Sequence, residues 1–464
     1  MTARRTNLHY GWIIIFAGIV ILFSCLGLGR FSLGMLLPSM GGALGLNYSQ
    51  MGFIGTGNFV GYMISAALAG MIARRMSARY TISIGLVLVG GSMVLISRAM
   101  TFPEVLTLYV ATGMGSGLAN VPLMGLVSHW FLKSARGRAA GTMLSGNGLA
   151  IVFTGFYVPY VNTRFGAEGW RTGWLTMGAM SLAIAAIAAI LLRNDPAEKG
   201  LAPLGETDTH CRSSLATDAQ KKKGTNRLTM VHLGCIYSLF GATYVVYATF
   251  IVMTMVNERG FGESTAGTFW AAVGGLSIFS GPLFGWLSDK LGRKAGMMIV
   301  YTLFTVAYIL VAANLPNPYL YVSITIFGLS AWSIPTIMTA TVGDYMGPRQ
   351  AAKAFGFITL FFGAGQISGP AVAGFLADVT GTFSIAFWLS AALTASAVAL
   401  TFFLRQPTGQ MKLRARRVVT LLYKIENGLF SRNSLLVKVA GLSKSKYSSS
   451  NCLVVRLFFC FSNL

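Results

Sequence analysis

Arg30 is the residue of this sequence whose surroundings point most clearly to chemistry. It stands in "CLGLGRFSLGMLLPSM", residues 25–40, and is the only charged residue between Gly11 and Pro38. A guanidinium in apolar sequence needs a counter-ion or water. Because this planar group binds carboxylates and phosphates at two points, Arg30 is the first candidate for an anion-binding residue.

Two interpretations of Arg30 are open at this stage. In one, the side chain reaches the membrane surface, because a helix ending near Leu37 places Arg30 about 10 Å inside its outer end. In the other, it faces a cavity between helices and its missing partner is the substrate. The second is favoured because no carboxylate of the protein is expected near Arg30. All thirteen acidic residues fall in predicted loops, at span ends or in the C-terminal tail.

Other polar and aromatic side chains also lie inside apolar segments, where a polar group must be paired or hydrated. Asn58 and Tyr62 are four residues apart, which places them on one face of a helix. The candidate substrate-binding residues are Arg30, Asn58, Tyr62, Asn120, Asn147, Tyr247, Trp332 and Gln366. The alternative for each of them is a hydrogen bond or packing contact with a neighbouring helix.

Transmembrane helices are the elements that must position these residues. The chain has 464 residues, of which 54% are hydrophobic and 11% charged, whereas soluble domains carry about 25% charged residues. Its apolar runs are long enough to cross a hydrocarbon core of about 30 Å as helices. The sequence predicts twelve spans, at 11–38, 50–72, 80–98, 103–129, 139–161, 173–192, 230–255, 264–287, 295–313, 318–343, 354–376 and 383–404.

A hydrophilic segment at 193–229 divides these spans into two sets of six. We therefore expect an N-terminal bundle at 1–192, a cytoplasmic linker at 193–229 and a C-terminal bundle at 230–404. The basic tail at 405–464 is expected to lie in the cytoplasm and to be poorly ordered. Lys and Arg collect in the loops on one side, which predicts a multi-pass protein of the inner membrane with both termini cytoplasmic.

The two halves resemble each other at an offset of 215 residues, as Gly70 and Gly285 illustrate. Two six-helix sets related by a repeat are typical of carriers with a substrate site near the bilayer midplane, between the halves. At the same offset Arg30 corresponds to Val245. The repeated fold therefore does not itself require the charge.

A ten-residue motif, "GWLSDKLGRK", Gly285 to Lys294, follows the eighth span and fits G-x-L-[AS]-D-x-x-G-R-K at every position. It resembles the loop after the second helix of each half in the major facilitator superfamily of transporters. The resemblance extends over about residues 9–405, and "HYGWIII" and "HWFLKSARGRAAG" are similar to a bacterial branch near the monocarboxylate, oxalate and cyanate carriers. It implies an all-α membrane protein of twelve transmembrane helices in two pseudo-symmetric bundles, working by alternating access.

The resemblance also implies that the motif latches the cytoplasmic side while a carrier faces outward. Asp289 is then expected to contact the start of the fifth span, near Ala139–Thr142, or Arg136 and Arg138, because helix N-termini favour negative charge. The expected latch residues are Gly285, Asp289, Gly292, Arg293, Arg136 and Asp344.

The first-half copy of the motif, "GMIARRMSAR", departs from the pattern. Arg74 stands at the Asp position and Ser77 at the second Gly position. We therefore expect an asymmetric latch, in which Asp344 pairs with either Arg74 or Arg293.

The sequence thus predicts a secondary or facilitative transporter of a small organic anion. Two alternatives are a multidrug or small-molecule efflux carrier and a non-transporting membrane sensor with the same fold. An enzyme is not expected, because no nucleophile–base pair or metal-ligand spacing occurs, and the phosphate-binding loop of ATP-driven pumps is absent from the sequence. No cofactor or metal is expected. The short basic loops favour contact with anionic lipid over nucleic acid, and we expect a monomer.

Overall fold

The computed structural model describes residues 9–205, 227–347 and 350–404. The middle of the predicted linker and the predicted basic tail lie outside these ranges. Residues 9–404 belong to one compact unit. Within the described ranges the chain is helical apart from its loops and one isolated bridge between Phe131 and Leu204.

Twelve helical spans lie in the described part of the chain, which confirms the predicted fold class. Spans 5 and 6 are separated only by the short turn Gly166–Glu168. The spans, in order, are Gly11–Leu44, Tyr48–Met76, Ala78–Ile96, Phe102–Trp130, Lys133–Phe165, Gly169–Leu191, Arg227–Glu258, Glu263–Leu291, Arg293–Ala312, Asn317–Met346, Ala351–Thr380 and Ser384–Phe402. Several of these helices continue beyond the apolar runs into polar sequence, so the predicted ends are a few residues short.

Spans 1 and 10 are irregular within their length, and span 7 ends in a short π-helical segment, Thr254–Glu258. Span 1 has a π-helical segment, Phe23–Phe31, between the α-helices Gly11–Leu22 and Ser32–Leu44. Span 10 is interrupted between Asn317–Ser330 and Ser333–Met346. Such irregular segments inside helices frequently mark functional positions. In spans 1 and 10 the irregular positions are those of Arg30 and Trp332.

We call the side of the protein that holds residues 9 and 404 the terminal side and the opposite side the distal side. The two halves pack closely on the distal side. On the distal side, a Cβ atom added at Gly52 of span 2 would meet the carbonyl of Pro370 in span 11. Likewise, Gly155 of span 5 and Gly267 of span 8 pack so closely that a Cβ atom added at either one would collide with the backbone of the other. Small residues allow this close approach of helices in membranes.

Polar contacts reinforce the distal closure. The carboxylate of Asp378, at the end of span 11, accepts hydrogen bonds from the Tyr48 amide (3.2 Å) and the Ser49 hydroxyl (2.8 Å) at the start of span 2. The Asn162 amide of span 5 donates to Glu263 of span 8 at 2.7 Å. Both contacts join the N-terminal half to the C-terminal half.

Packing is looser on the terminal side. Cβ atoms added at Gly70, Gly141 and Gly356 would meet no described atom within 4 Å outside their own helices. The three positions lie near the terminal ends of spans 2, 5 and 11. Among the described residues, the contacts between the two halves are therefore tighter on the distal side than at these three terminal positions.

Candidate functional site

Arg30 lies deep in the protein, at the end of the π-helical segment of span 1. The expected depth of about 10 Å is wrong, because the helix continues through Pro38 to Leu44 and places Arg30 about 20 Å from its distal end. Its backbone carbonyl accepts a hydrogen bond from the Tyr109 hydroxyl of span 4 at 3.0 Å. This bond fixes the irregular segment against its neighbour.

The Arg30 side chain points into the protein, which contradicts the alternative in which it reaches the membrane surface. Its Nε donates to Asn58 Oδ1 at 3.2 Å. The Cζ atom lies 4.4 Å from the centre of the Phe59 ring and 4.7 Å from that of Tyr62, distances at which a cation is attracted to an aromatic face. Nη2 is buried and has no hydrogen-bond partner in the described structure.

Asn58 orients the guanidinium. It is 1% exposed, and its amide nitrogen donates to the carbonyl of Gly29 at 3.2 Å and to that of Tyr109 at 3.4 Å. Because these bonds use the donor end of the amide, the oxygen is left to face Arg30. The arginine is thereby held in place before any ligand binds.

The C-terminal half contributes an aromatic wall to the same region. Trp332, at the interruption of span 10, packs edge-on against Phe31 (5.5 Å) and Tyr244 (6.2 Å). The Tyr244 hydroxyl accepts a hydrogen bond from the buried amide of Gln366 at 2.5 Å. One small cavity between the halves is lined by Arg30, Asn58 and Tyr244 together.

Three other candidates differ in their relation to this cluster. Asn120 joins it, because its amide donates to the Tyr62 hydroxyl at 2.8 Å. Asn147 is buried in span 5, and its Oδ1 has no hydrogen-bond partner among the described residues. Tyr247 is apart from it: its hydroxyl bonds to Ser323 at 3.0 Å and its ring stacks on Phe327, within the core of the C-terminal half.

Sequence reasoning left three neighbours of Arg30 out of the candidate set, namely Phe59, Tyr109 and Tyr244. Phe59 could have been predicted from its position next to Asn58, since two adjacent residues of a helix can both contact a long side chain such as that of Arg30. Tyr109 and Tyr244 gave no such signal, because tyrosines inside spans mostly pack against other helices.

The expected latch residues lie on the terminal side. Arg293 bonds to Asp289 and, through Nε at 3.0 Å, to Asp344, so of the two expected partners of Asp344 the structure shows Arg293. Asp289 is otherwise exposed, and Arg136 donates to the carbonyls of Phe131 and Ser128, both at 2.8 Å. The expected contact of Asp289 with span 5 is not seen in the described structure, and for a conformation closed at the terminal side it stays a prediction.

Backbone geometry explains the second glycine of the motif, Gly292. Gly292 has φ 94° and ψ 150°, a conformation that favours glycine. Ser77, its counterpart in the first half, has nearly the same angles, φ 76° and ψ 155°. A Cβ atom added at Gly285 would lie 3.4 Å from the Thr336 side chain of span 10, an ordinary contact distance. Both loops therefore keep one backbone shape although their sequences differ.

Within the described ranges, no group of three or more His, Cys, Asp or Glu side chains is arranged to hold a metal ion. The chemistry of the Arg30 region is that of a fixed cation surrounded by neutral hydrogen-bonding and aromatic groups. Such a region can bind and release an oxyanion.

Comparisons with known proteins agree with this architecture. The sequence model of the family described as the uncharacterised MFS-type transporter YbfB matches residues 22–402. The hexuronate transporter of Bacillus subtilis is 24% identical over 82% of this chain and 92% of its own length. The probable sulfoacetate transporter SauU of Cupriavidus necator is 22% identical over 78% of this chain and 87% of its own length.

Solved structures show the same fold. The D-xylose-proton symporter has a TM-score of 0.67 with 15% identity, covering 86% of this chain and 98% of its own. The bacterial homologue of the human lysosomal transporter Spinster has a TM-score of 0.65 with 15% identity, covering 86% of this chain and 95% of its own.

Proposed function

Because the chain belongs to the major facilitator superfamily of transporters, we propose that it carries a small organic anion across the membrane by alternating access, with Arg30 as the anion-binding group. The observation that carries this proposal is the buried, unpartnered Nη2 of Arg30 between the two halves. A guanidinium held ready by Asn58 and left without an acidic partner is suited to pair with an oxyanion.

The distribution of acidic residues supports a bound anion as the partner. Among the described residues, the carboxylates lie in loops or near the ends of spans: Glu104, Glu168, Asp195, Glu198, Glu258, Glu263, Asp289, Asp344 and Asp378. Leaving a buried charge unpaired is costly. A substrate carboxylate, sulfonate or phosphate would relieve that cost while bound.

The names of the relatives support the same class of substrate. They include transporters named for hexuronate, sulfoacetate, hexose phosphate and monocarboxylates. All of these compounds are organic anions. Similarity of 22–25% supports the class without selecting one member of it.

The terminal side is proposed to face the cytoplasm, because it collects the basic loops. The protein would then lie in the inner membrane with both termini cytoplasmic, and the described conformation would face inward. Outward opening would require the halves, proposed to move as bundles at 1–192 and 230–404, to separate at the Asp378 and Glu263 contacts. The terminal side would close at the same time, with Asp289 approaching span 5.

The test is uptake into proteoliposomes of labelled glucuronate, lactate, sulfoacetate and glucose 6-phosphate, each beside a neutral analogue such as glucose or lactamide. At least one anion should be taken up faster than its neutral analogue, and Arg30→Ala should abolish the difference. The matched control is Tyr247→Phe, which lies in the C-terminal core. Uptake of apolar dyes instead of anions, unchanged in Arg30→Ala, would favour the efflux-carrier alternative.

A further inference from the structure

The free part of the Arg30 guanidinium is small. Nε is used by Asn58, and the rings of Phe59 and Tyr62 lie against the group. The Tyr244 hydroxyl also lies beside the guanidinium. What remains for a ligand is the edge formed by the two Nη atoms, of which Nη2 is buried and has no hydrogen-bond partner in the described structure. This edge matches the two oxygens of one carboxylate or sulfonate group.

The rest of the cavity around Arg30 is uncharged. Besides Arg30 and Asn58, it is lined by aromatic, aliphatic and hydroxyl side chains, among them Phe31, Tyr244 and Val245. A second negative charge on a substrate would have to leave water for this neutral lining. Burying an ion without a counter-ion is strongly unfavourable.

Val245 occupies a special place in this lining. It lies 215 residues after Arg30, at the offset that relates the two halves. The structure brings both residues to the same cavity, with Val245 on span 7 and only 2% exposed. The C-terminal half therefore presents an isopropyl group where the N-terminal half presents a cation.

We infer that the site accepts organic anions with one negative charge, rejects those with two, and that Val245 sets this limit. The inference rests on the proposed function, because it assigns the substrate class of the same Arg30 site. It separates the singly charged hexuronates and monocarboxylates from hexose phosphates, sulfoacetate and dicarboxylates, which carry a second charge.

Two pairs of compounds of matched size test the charge limit in wild-type proteoliposomes. They are glucuronate against glucarate and succinamate against succinate, compared at a pH where every carboxyl group is ionised. The singly charged member should be taken up at least about tenfold better in a pair that is transported, since one unpaired buried charge exceeds the equivalent of a factor of ten. Equal or better uptake of the diacids would overturn the inference and leave the proposed function intact. Absence of uptake of any anion in these pairs and in the wider panel would overturn both.

The role of Val245 has its own test. Val245→Arg should raise the ratio of diacid to monoacid uptake by about tenfold or more, because it supplies a second cation. Val245→Leu, which changes shape without charge, should leave the ratio unchanged. Val245→Lys supplies the charge on an unbranched chain if the arginine variant does not insert. A folded cationic variant with the wild-type ratio would show that Val245 does not set the limit.

Discussion

The two halves of the molecule share a fold but hold different functional groups. In the N-terminal half, span 1 carries Arg30 at the end of a π-helical segment. In the C-terminal half the equivalent residue is Val245, inside a continuous α-helix. The cavity between the halves is therefore positive on one side and neutral on the other.

The loops after spans 2 and 8 show the reverse distribution. The C-terminal loop has Gly292 at its positive-φ turn and Asp289 paired with Arg293. The N-terminal loop has Ser77 in the same turn and Arg74 at the acidic position. The repeat therefore preserves backbone geometry in both copies, whereas a charge needed at the shared interface can be supplied by one copy.

Among the variants that keep the charge of Arg30 or change the loops, the largest effect is expected from Arg30→Lys. A lysine keeps the positive charge but loses the planar two-point contact and the hydrogen bond from Nε to Asn58. Hydrogen bonds to charged groups contribute about 1.5–3 kcal/mol, so anion affinity should fall about tenfold to a hundredfold. Uptake measured over a range of substrate concentrations checks this; wild-type affinity in the lysine variant would show that charge alone suffices.

A smaller effect, on stability, is expected from exchanging the turn residues of the two loops. Ser77→Gly should raise the free energy of unfolding by about 1 kcal/mol, since a side chain is strained at this φ. It also removes a hydroxyl that is buried without a described partner. Gly292→Ser should lower stability by a similar amount.

Thermal unfolding of the two turn variants in detergent provides the measurement, with wild type and the double variant as references. The shifts should be opposite in sign. Shifts of the same sign in both single variants would contradict the shared-geometry explanation.

The smallest effect is expected from Asp289→Asn. If Asp289 approaches the start of span 5 when the terminal side closes, the loss of its charge should weaken that closure by about 0.3–1 kcal/mol, the usual contribution of a charge at a helix terminus. Transport should slow by about two- to fivefold at unchanged expression. The control is Asp195→Asn, which removes an exposed carboxylate on the linker at the terminal side. This variant should transport at the wild-type rate.

Much of the architecture was predictable because long apolar runs leave few alternatives in a membrane. Asn58 and Gln366 were found for a similar reason, since amides inside such runs are conspicuous, and both are buried beside the central cavity or its aromatic wall. The depth of Arg30 was underestimated because Pro38 suggested an end to the span. In the structure Pro38 lies inside the helix.

The aromatic residues were less predictable. Tyr244 and Tyr247 are three residues apart on span 7, yet Tyr244 lines the cavity and Tyr247 packs against Phe327. Their difference depends on how the helix is rotated about its axis by its neighbours. That rotation is set by contacts distant in the sequence, such as those of Gly365 with Ser238 in span 7, and no local pattern reports it.

Equilibrium binding of labelled glucuronate and lactate to the purified protein in detergent tests the central claim most directly. Wild type and Arg30→Ala are compared, with Tyr247→Phe as a variant of the C-terminal core. The account predicts saturable binding of at least one of these anions to wild type and to Tyr247→Phe, and a loss of affinity of about a hundredfold or more in Arg30→Ala. Equal affinity of wild type and a folded Arg30→Ala protein would contradict it.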